Sequence, residues 1–352
     1  IVLGENITLI QRSPPVGTGI SCATVFDYTN SILESDSLLK SNIPKLYPGC
    51  ISKSSTVSHQ NTVFHYIPTS PSPPYRTRKR DLPLAKLKAV EELFLELETS
   101  GVIRRSSSPW ASAIHVVTKP DGSFRPCGDY RFLNSITIHD SYPMPLITDI
   151  MNKLTGSNYF SKIDLNKAFH QIPVLPEDIP KTAVITPFGL FEYIMMPFGL
   201  RNAAQSFQRH IDFILKDIPS ATAYLFSPDI TSHKNDVHAV LSKLHTQNLI
   251  INLKKCSFFQ EQVQFLGHLV SKSGVRPLPS KIETISKLTL PKNVTALRSF
   301  LEAVNFYHRF IPQASSFLAP LSSLATGPKT SLVSWTDSTI EVFNSVKDRL
   351  SN

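Results

Sequence analysis

The stretch Tyr159-Phe-Ser-Lys-Ile-Asp164 has the pattern of a buried β-strand that ends in a carboxylate. Further along, residues 202–215 carry apolar side chains at helical spacing, including Phe207 and Ile211. A lone aspartate at a strand end is usually a cap or turn residue, so its position alone does not make Asp164 catalytic. The two elements indicate a fold in which strands and helices alternate irregularly.

Upstream of this stretch, the sequence predicts a helix and then a hairpin. Residues 83–100 repeat apolar side chains at helical spacing and are followed by Gly101, a common helix stop. Residues 110–117 have the pattern of a strand, residues 119–123 that of a turn, and residues 124–130 that of an irregular returning strand. Basic side chains are therefore expected near the tip of this hairpin.

Downstream, residues 233–247 have the pattern of an amphipathic helix, residues 249–252 that of a strand, and residues 263–270 that of a second strand. From residue 281 onward the chain is expected to be mostly helical, with breaks at Pro291 and Pro312. Residues 1–62 show no sustained period and are predicted to form a linker or a loosely packed extension.

The composition favours a folded protein with a polyanionic partner. The 352 residues are 41% hydrophobic and 18% charged, which is too apolar for wholesale disorder. The formal net charge is +9, but a basic balance alone fits ribosomal, membrane-surface and nuclease proteins equally well. Charge therefore favours nucleic acid as a partner without deciding it.

The cysteines and the hydropathy pattern indicate an intracellular protein without a membrane span. Cys22, Cys50, Cys127 and Cys256 are too far apart for a zinc site and too sparse for a disulfide scaffold, so we expect reduced thiols. No apolar run approaches the roughly 20 residues of a membrane helix, and no secretory signal opens the chain. The first residue is Ile1, which suggests a fragment or a segment of a longer polyprotein.

Five motifs occur in one order along the chain. They are Ser107-Ser-Pro-Trp-Ala-Ser112, Lys119-Pro-Asp-Gly-Ser-Phe-Arg-Pro-Cys-Gly-Asp-Tyr-Arg131, Phe160-Ser-Lys-Ile-Asp-Leu165, Lys181-Thr-Ala-Val-Ile-Thr-Pro-Phe-Gly189 and Met196-Pro-Phe-Gly-Leu-Arg-Asn202. Together they resemble the reverse transcriptase of gypsy-type LTR retrotransposon Pol polyproteins. The resemblance runs from about Tyr66 to the end of the chain.

The resemblance implies an α+β right-hand polymerase of fingers, palm and thumb, with a ferredoxin-like palm followed by a helical connection. It also implies a division of the chain. The expected parts are an extension at 1–62, a Pro-rich basic segment with an amphipathic helix at 63–100, fingers and palm at 101–270, thumb and connection helices at 271–334, and a truncated ribonuclease H-like start at 335–352.

The activity that the resemblance implies is RNA-directed DNA polymerisation. In this nucleotidyl transfer two magnesium ions activate the primer hydroxyl and hold the triphosphate, and carboxylates hold the ions. Asp164 matches the first of the family's metal-binding aspartates. The implied partners are an RNA or DNA template with its primer, deoxynucleoside triphosphates, and the rest of the Pol polyprotein.

The resemblance also assigns a nucleotide-binding site. Lys119 and Arg125 match the fingers residues that contact the incoming triphosphate, for which fixed positive charges are suited. Phe169 matches the bulky residue that excludes a ribose 2′-hydroxyl, and Phe198 with Gly199 matches the turn of the nucleotide pocket. Without the resemblance, the basic pair would be a solvated hairpin tip and each phenylalanine a core residue.

A second set of residues matches the family's primer grip, the hairpin that holds the primer end. This set is Phe265, Leu266, Gly267 and His268. Spacing alone would make the same residues part of an ordinary strand.

The chain departs from the family pattern at the Tyr-x-Asp-Asp turn, which carries the other two metal-binding aspartates. Tyr224-Leu225 opens the motif, but Phe226-Ser-Pro-Asp-Ile-Thr-Ser-His233 then resembles the sequence that normally follows the pair and its strand. About five residues are missing, the pair included. Asp229, alone after Pro228, is not expected to substitute, so we predict impaired catalysis and weak or lost magnesium binding.

Three hypotheses remain open from the sequence. In the first, the chain is an active polymerase and its recorded sequence contains an error. In the second, it is an inactive nucleic-acid-binding remnant that keeps the basic cleft of Lys119, Arg125 and Arg131. In the third, it is the product of a decayed element that folds poorly. The basic stretch Tyr75-Arg-Thr-Arg-Lys-Arg80 is a solvated linker or a nuclear-localisation patch. A cytoplasmic particle, the nucleus or both are compatible with the family.

Overall fold

The computed structural model of the chain describes residues 8–9, 35–52, 63–118, 122–154, 156–216, 225–227 and 229–351. The chain divides into two compact units. Residues 1–149 and 159–260 form the first, and residues 150–158 and 261–352 form the second. Sheets and helices occur in both units, which confirms the α+β class. The division falls at 260/261, whereas the sequence-based boundary between palm and thumb lies at 270/271.

The strands of the described residues are short. They are β1 (Thr8–Leu9), β2 (Ile103–Arg105), β3 (Ser112–Thr118), β4 (Phe124–Gly128), β5 (Tyr159–Asp164), β6 (Val184–Thr186), β7 (Gly189–Tyr193), β8 (Leu225–Ser227), β9 (Ser257–Gln260), β10 (Gln262–Phe265), β11 (His268–Ser271) and β12 (Gly274–Pro277).

The helices of the described residues are mostly two to four turns long. They are α1 (Asp36–Leu46), α2 (Leu84–Thr99), α3 (Arg131–Ile136), α4 (Ile147–Leu154), α5 (Ala203–Leu215), α6 (Ile230–Thr246), α7 (Pro279–Ser286), α8 (Val294–Phe306), α9 (Ala314–Leu324) and α10 (Asp337–Ser351). Among these described helices, we find none with the length and apolar character needed to cross a bilayer.

A five-stranded sheet of the first unit has the strand order β2-β7-β6-β3-β4. The hairpin expected from the sequence is its β3–β4 pair, which runs antiparallel from Ile114 opposite Gly128 to Thr118 opposite Phe124. Helix α2 matches the helix predicted at 83–100, and it buries Val90, Phe94 and Leu97. The Phe94 ring packs edge-on against Phe191 of β7 at 5.1 Å between centroids.

A four-stranded sheet of the first unit is organised around β5. Strand β9 pairs with β5 along one stretch, and β8 and β1 pair with it as well. Helices α5 and α6 supply apolar side chains to the core of the unit, including Phe207, Ile211 and Leu241. Removing each such side chain from water stabilises the fold by about 1.5–3 kcal/mol.

Within residues 1–62, which were predicted to form a linker or a loosely packed extension, residues 35–52 include a packed helix. Ser35 caps the start of helix α1, and its hydroxyl accepts a hydrogen bond from the Leu38 amide. Its Leu39 and Ile43 are fully buried, each 0% exposed. The helix has only eleven residues and contains Pro44, so its apolar period is too short to detect in the sequence.

The second unit combines the antiparallel sheet β10-β11-β12 with helices α7 to α10. Its core includes Leu297, Phe300 and Leu321 together with Phe343 and Val346 of α10. Residues 337–351 therefore pack with the same core as the predicted thumb and connection helices. Within the described residues, the packing shows no boundary at 334/335, where the sequence predicted a ribonuclease H-like region to start.

Two predicted strands differ from the structure. Residues 263–270 are not one strand but two, β10 and β11, joined by Leu266 and Gly267 with backbone φ values of 41° and 79°. Such positive φ values form a tight turn that reverses the chain. Residues 249–252 form no strand, because only an isolated bridge between Leu165 and Ile251 is made there.

Four histidines, three of them buried and His170 half-buried, make the stability of the first unit sensitive to acid. Burial lowers the pKa of His65, His170, His210 and His233 to about 4 in each case. These values lie below the ordinary histidine pKa of about 6.5, so the unfolded chain binds more protons between pH 6.5 and pH 4. The free energy of unfolding should therefore fall as the pH falls through this window.

His210 offers a direct test of this acid sensitivity. Burial is the cause of its lowered pKa, and its Nδ1 receives no protein hydrogen bond in the described part of the chain. The free energy of unfolding should fall from pH 7 to pH 5 in both proteins, because other buried histidines remain. We expect this fall to be about 2 kcal/mol smaller in His210→Gln than in the unmodified chain. Urea unfolding at both pH values measures this, and equal losses would contradict the prediction.

Candidate active site

Asp164 ends β5 deep inside the first unit. Its side chain is buried, and the residue is 1% exposed. Its backbone amide donates to the Cys256 sulfur at 3.3 Å, and its carbonyl accepts from the Asn252 amide at 2.7 Å. Burial raises the pKa of Cys256 to about 11, so this neighbour stays a neutral thiol. Asp164 is therefore fixed by backbone contacts in a position closed to solvent.

Asp229 is exposed and forms the N-cap of α6. Its Oδ1 accepts a hydrogen bond from the Ser232 amide at 2.8 Å. The same hydrogen bond lowers the pKa of the Asp229 carboxyl. An N-cap of this kind satisfies an otherwise unpaired helix amide and is a common structural role for aspartate. The geometry gives Asp229 a structural role in starting α6.

The described residues do not fit the two magnesium ions that the resemblance implies. In the described ranges, no group of three or more His, Cys, Asp or Glu side chains is placed to hold a metal ion. Magnesium keeps several of its waters and binds through oxygen ligands, whereas Asp164 is 1% exposed. Residues 217–224 and 228 lie outside the described residues, and their sequence adds no carboxylate after Asp217.

Three aromatic rings and one guanidinium converge where the sequence predicted the nucleotide site. The Phe169 ring lies 5.3 Å from the Phe198 ring and 5.9 Å from the Phe207 ring, measured between centroids. The Arg125 guanidinium carbon lies 5.8 Å from the Phe198 centroid. Gly199 follows with a φ of 93°, a conformation that favours glycine. Lys119 lies outside the described residues.

The surrounding chain holds these groups in place. Phe169 lies in the 3-10 turn Ala168–Gln171, which follows Lys167 in a left-handed conformation with a φ of 45°. The Asn134 side chain donates to the Gly199 carbonyl at 2.8 Å. His170 packs its ring 5.3 Å from Phe198. Sequence reasoning missed His170, which directly follows Phe169, and Asn134, which lies three residues beyond the end of the motif at Arg131.

A second cluster of charged and aromatic residues lines a cavity of about 300 Å³ in the first unit. Asp129 accepts hydrogen bonds from Arg80 and from Arg131, each at 2.8 Å. These hydrogen bonds, that from Arg131 first, hold the pKa of Asp129 well below its usual range. The Tyr75 and Phe132 rings stack with centroids 4.0 Å apart. The basic segment before α2 is thus partly ordered through Arg80.

The predicted primer-grip residues Phe265, Leu266, Gly267 and His268 form the turn between β10 and β11. Leu266 is half-exposed at the tip, while Phe265 and His268 are buried. The His268 ring packs against Phe306 and Tyr307, at 5.2 Å and 5.3 Å between centroids. Here tertiary packing holds a tight turn whose tip reaches solvent.

Gly267 is the residue of this turn that should tolerate substitution least. Its φ is 79°, and a Cβ atom there would lie 2.8 Å from the Tyr307 hydroxyl. Gly274 has a φ of 110° and open space around it, so an alanine there would have a strained backbone but no clash. We expect Gly267→Ala to destabilise the chain by about 1–3 kcal/mol more than Gly274→Ala. Equal losses in thermal or urea unfolding would contradict the role of the Tyr307 contact.

Comparisons with known proteins identify the protein family to which this chain belongs. A family model described as reverse transcriptase (RNA-dependent DNA polymerase) matches residues 117–270. The foamy viral protease-reverse transcriptase dRH in complex with double-stranded DNA superimposes with a TM-score of 0.81 at 23% identity, over 96% of this chain and 62% of that one. The same viral protein in another double-stranded DNA complex gives 0.80 at 22%, over 96% and 73%. The fold is therefore that of a polymerase, and the chain belongs to the reverse transcriptase family.

The curated relatives narrow this class to transposon polyproteins. The Retrovirus-related Pol polyprotein from transposon 297 of Drosophila melanogaster is 38% identical over 75% of this chain and 26% of its own length. The one from transposon opus is 34% identical over 93% and 33%. The Transposon Tf2-3 polyprotein of Schizosaccharomyces pombe is 35% identical over 78% and 21%.

This chain is the reverse transcriptase domain of a retrotransposon Pol polyprotein, of the gypsy type with which these relatives are consistent. It spans between a fifth and a third of the length of the three curated relatives.

Proposed function

We propose that this domain binds primer-template nucleic acid and incoming nucleotides but has lost, or nearly lost, the nucleotidyl transfer reaction. The observation that carries the proposal is the sequence Tyr224-Leu-Phe-Ser-Pro-Asp229. No carboxylate stands between Asp217 and Asp229, where the family's turn has two. One aspartate of the catalytic set, Asp164, is left.

The chemistry of the reaction supports a severe loss. Two metal ions clamp the attacking and leaving oxygens of a phosphoryl transfer, and they need several carboxylate oxygens close together. Asp164 supplies one carboxylate and is closed to solvent. Asp229, the next carboxylate after the deletion, is engaged with the Ser232 amide. A single ligand would hold magnesium too weakly for the primer hydroxyl to be activated.

The nucleotide pocket is the part of the machinery that the chain retains. Arg125, with Lys119, would supply fixed positive charge to a triphosphate. The buried Phe169 ring would occupy the space that a ribose 2′-hydroxyl needs, which favours deoxynucleotides. Phe198 and Gly199 would form the turn beneath the nucleotide, since a side chain at position 199 would require the strained φ of 93°.

Nucleic-acid binding is supported by charge and by relatives. The formal net charge of +9 favours a polyanion. The foamy viral relatives are described in complex with double-stranded DNA or with an RNA/DNA hybrid. Arg131 and the primer-grip turn at Leu266 would contribute contacts to such a duplex. The template, primer and deoxynucleoside triphosphates are therefore the proposed ligands, and the remaining Pol polyprotein is the proposed partner.

Binding and extension should be measured on the same preparation of the chain. We expect fluorescence anisotropy to show binding of a labelled RNA-template/DNA-primer duplex whose affinity falls steeply and log-linearly with salt. With magnesium and deoxynucleoside triphosphates added, the primer should stay unextended. Efficient extension would overturn the proposed impairment.

The competing hypothesis of a decayed product makes a different prediction for folding. A decayed chain would show a broad, non-cooperative unfolding transition and exposed apolar surface. A cooperative transition together with salt-dependent duplex binding would exclude it. A cooperative transition without duplex binding would instead overturn the binding half of the proposal.

A further inference from the structure

Two strands from distant parts of the sequence pair with successive residues of β5. Strand β8 pairs with its first half, from Ser227 opposite Tyr159 to Leu225 opposite Ser161. Strand β1 pairs with its second half, with Leu9 opposite Ile163 and Thr8 opposite Asp164. Both pairings are antiparallel. The N-terminal strand thus adjoins the one catalytic aspartate that the chain retains.

Strands β1 and β8 lie on the same edge of β5. Phe160 pairs with both Phe226 and Gln260, so β8 and β9 are on opposite edges. The amide and the carbonyl of one strand residue point to the same edge. Those of Asp164 point to the β9 edge, where they meet Cys256 and Asn252. Thr8, paired with Asp164, therefore lies on the β8 edge.

The register shows which segment would otherwise occupy this edge. The antiparallel ladder runs from Ser227 opposite Tyr159 to Leu225 opposite Ser161, so a continuation of this strand would lie beside Lys162, Ile163 and Asp164 in turn. A longer strand before Phe226 would fill them. About five residues are missing at this point, and the structure has Thr8 and Leu9 beside Ile163 and Asp164 instead.

We propose that the edge of β5 at Ile163 and Asp164 is a strand-acceptor site, which this chain fills with its own residues Thr8–Leu9. In a chain with a complete palm hairpin, the hairpin strand fills the same edge and β1 is released. The inference rests on the deletion that underlies the proposed function. Pairing through backbone groups tolerates many sequences, which explains how a remote segment can replace the lost strand.

A pair of proline variants tests the docking of β1. Successive residues of a strand direct their backbone amide and carbonyl to opposite edges. The amide and carbonyl of Asp164 point toward β9, so those of Ile163 point toward Leu9. Leu9→Pro removes the amide that faces Ile163, while Thr8→Pro removes one that faces away from β5. We expect amide hydrogen exchange at Ile163 to be about 10-fold faster in Leu9→Pro and unchanged in Thr8→Pro. Equal exchange rates in both variants would overturn the proposal.

Ser161 provides the internal reference for this experiment. It pairs with Leu225 of β8, so its exchange should not change in either variant. If Leu9→Pro also removes the protection of Ser161, the unit has unfolded locally, and the proteolysis experiment below decides the matter.

Competition for the edge is tested with a hairpin-restored chain, defined as this chain with an Asp-Asp pair and apolar strand residues inserted between Leu225 and Phe226. We expect limited trypsin digestion at Arg12 to become at least about 10-fold faster in the hairpin-restored chain, because β1 loses its place. An unchanged cleavage rate would contradict the claim that β1 and the hairpin strand compete for the same edge of β5. If cleavage accelerates but primer extension does not return, the strand-acceptor site stands and the proposed cause of the catalytic loss fails.

Discussion

We expect the hairpin-restored chain to extend an RNA-templated DNA primer in the presence of magnesium at least about 100-fold faster than the unmodified chain. This factor is a lower bound. Mutating residues that only hydrogen-bond to the ligands of a metal ion already lowers metal affinity or activity by about 10–100-fold, and here two ligands themselves are restored. Two added carboxylates beside Asp164 would complete a set that can hold both ions. A primer-extension assay with matched protein and duplex concentrations measures the difference.

Two controls identify the source of this gain. The same insertion with Asn-Asn in place of Asp-Asp restores the strand but not the charge, and it should leave the primer unextended. Asp164→Asn in the hairpin-restored chain should abolish the recovered activity while preserving duplex binding. Extension by either control would show that the three carboxylates do not form the catalytic set. No gain from the Asp-Asp insertion would mean that other changes have inactivated the domain.

Phe343→Ala should destabilise the second unit by about 3–5 kcal/mol, because it leaves a cavity in a closed core. The Phe343 side chain is 1% exposed, and its ring lies 4.6 Å from Phe300 and 5.7 Å from Trp335 between centroids. Urea unfolding monitored by tryptophan fluorescence measures the loss, since Trp335 is a direct neighbour. The result also tests whether α10 belongs to the thumb and connection core.

Leu332→Ala is the matched control for this loss. Leu332 lies in the same unit but is 81% exposed, so its truncation should change the free energy of unfolding by less than about 0.5 kcal/mol. If Phe343→Ala is as mild as Leu332→Ala, α10 does not contribute to the core, and the result favours the predicted ribonuclease H-like start at residues 335–352.

The elements with a long period and clear ends were predictable from the sequence. The helix expected at 83–100 is α2, and the helix expected at 233–247 overlaps α6. The β3–β4 hairpin was predictable because turn residues separate two apolar runs. The grouping of Arg125, Phe169, Phe198 and Gly199 followed only from the resemblance, because residues so far apart share no local pattern.

The failed predictions all concern short elements. Helix α1 has two fully buried side chains, too few to give a period, and its position depends on tertiary contacts such as the hydrogen bond from the Phe258 amide to Asp36. The reversal at Leu266 and Gly267 was missed because a leucine at a φ of 41° is rare, and contacts of Gly267 with Tyr307 and Leu278 hold the turn.

The sequence by itself determined the family and the absence of an Asp-Asp pair after Leu225, because both depend on residue identity and order. Only the tertiary structure decided that Asp229 caps α6, that Thr8–Leu9 pairs beside Asp164, and that α10 packs into the core of the second unit. The physical reason is that backbone hydrogen bonds and burial join segments far apart in the chain. Neither leaves a local pattern in the residues that take part.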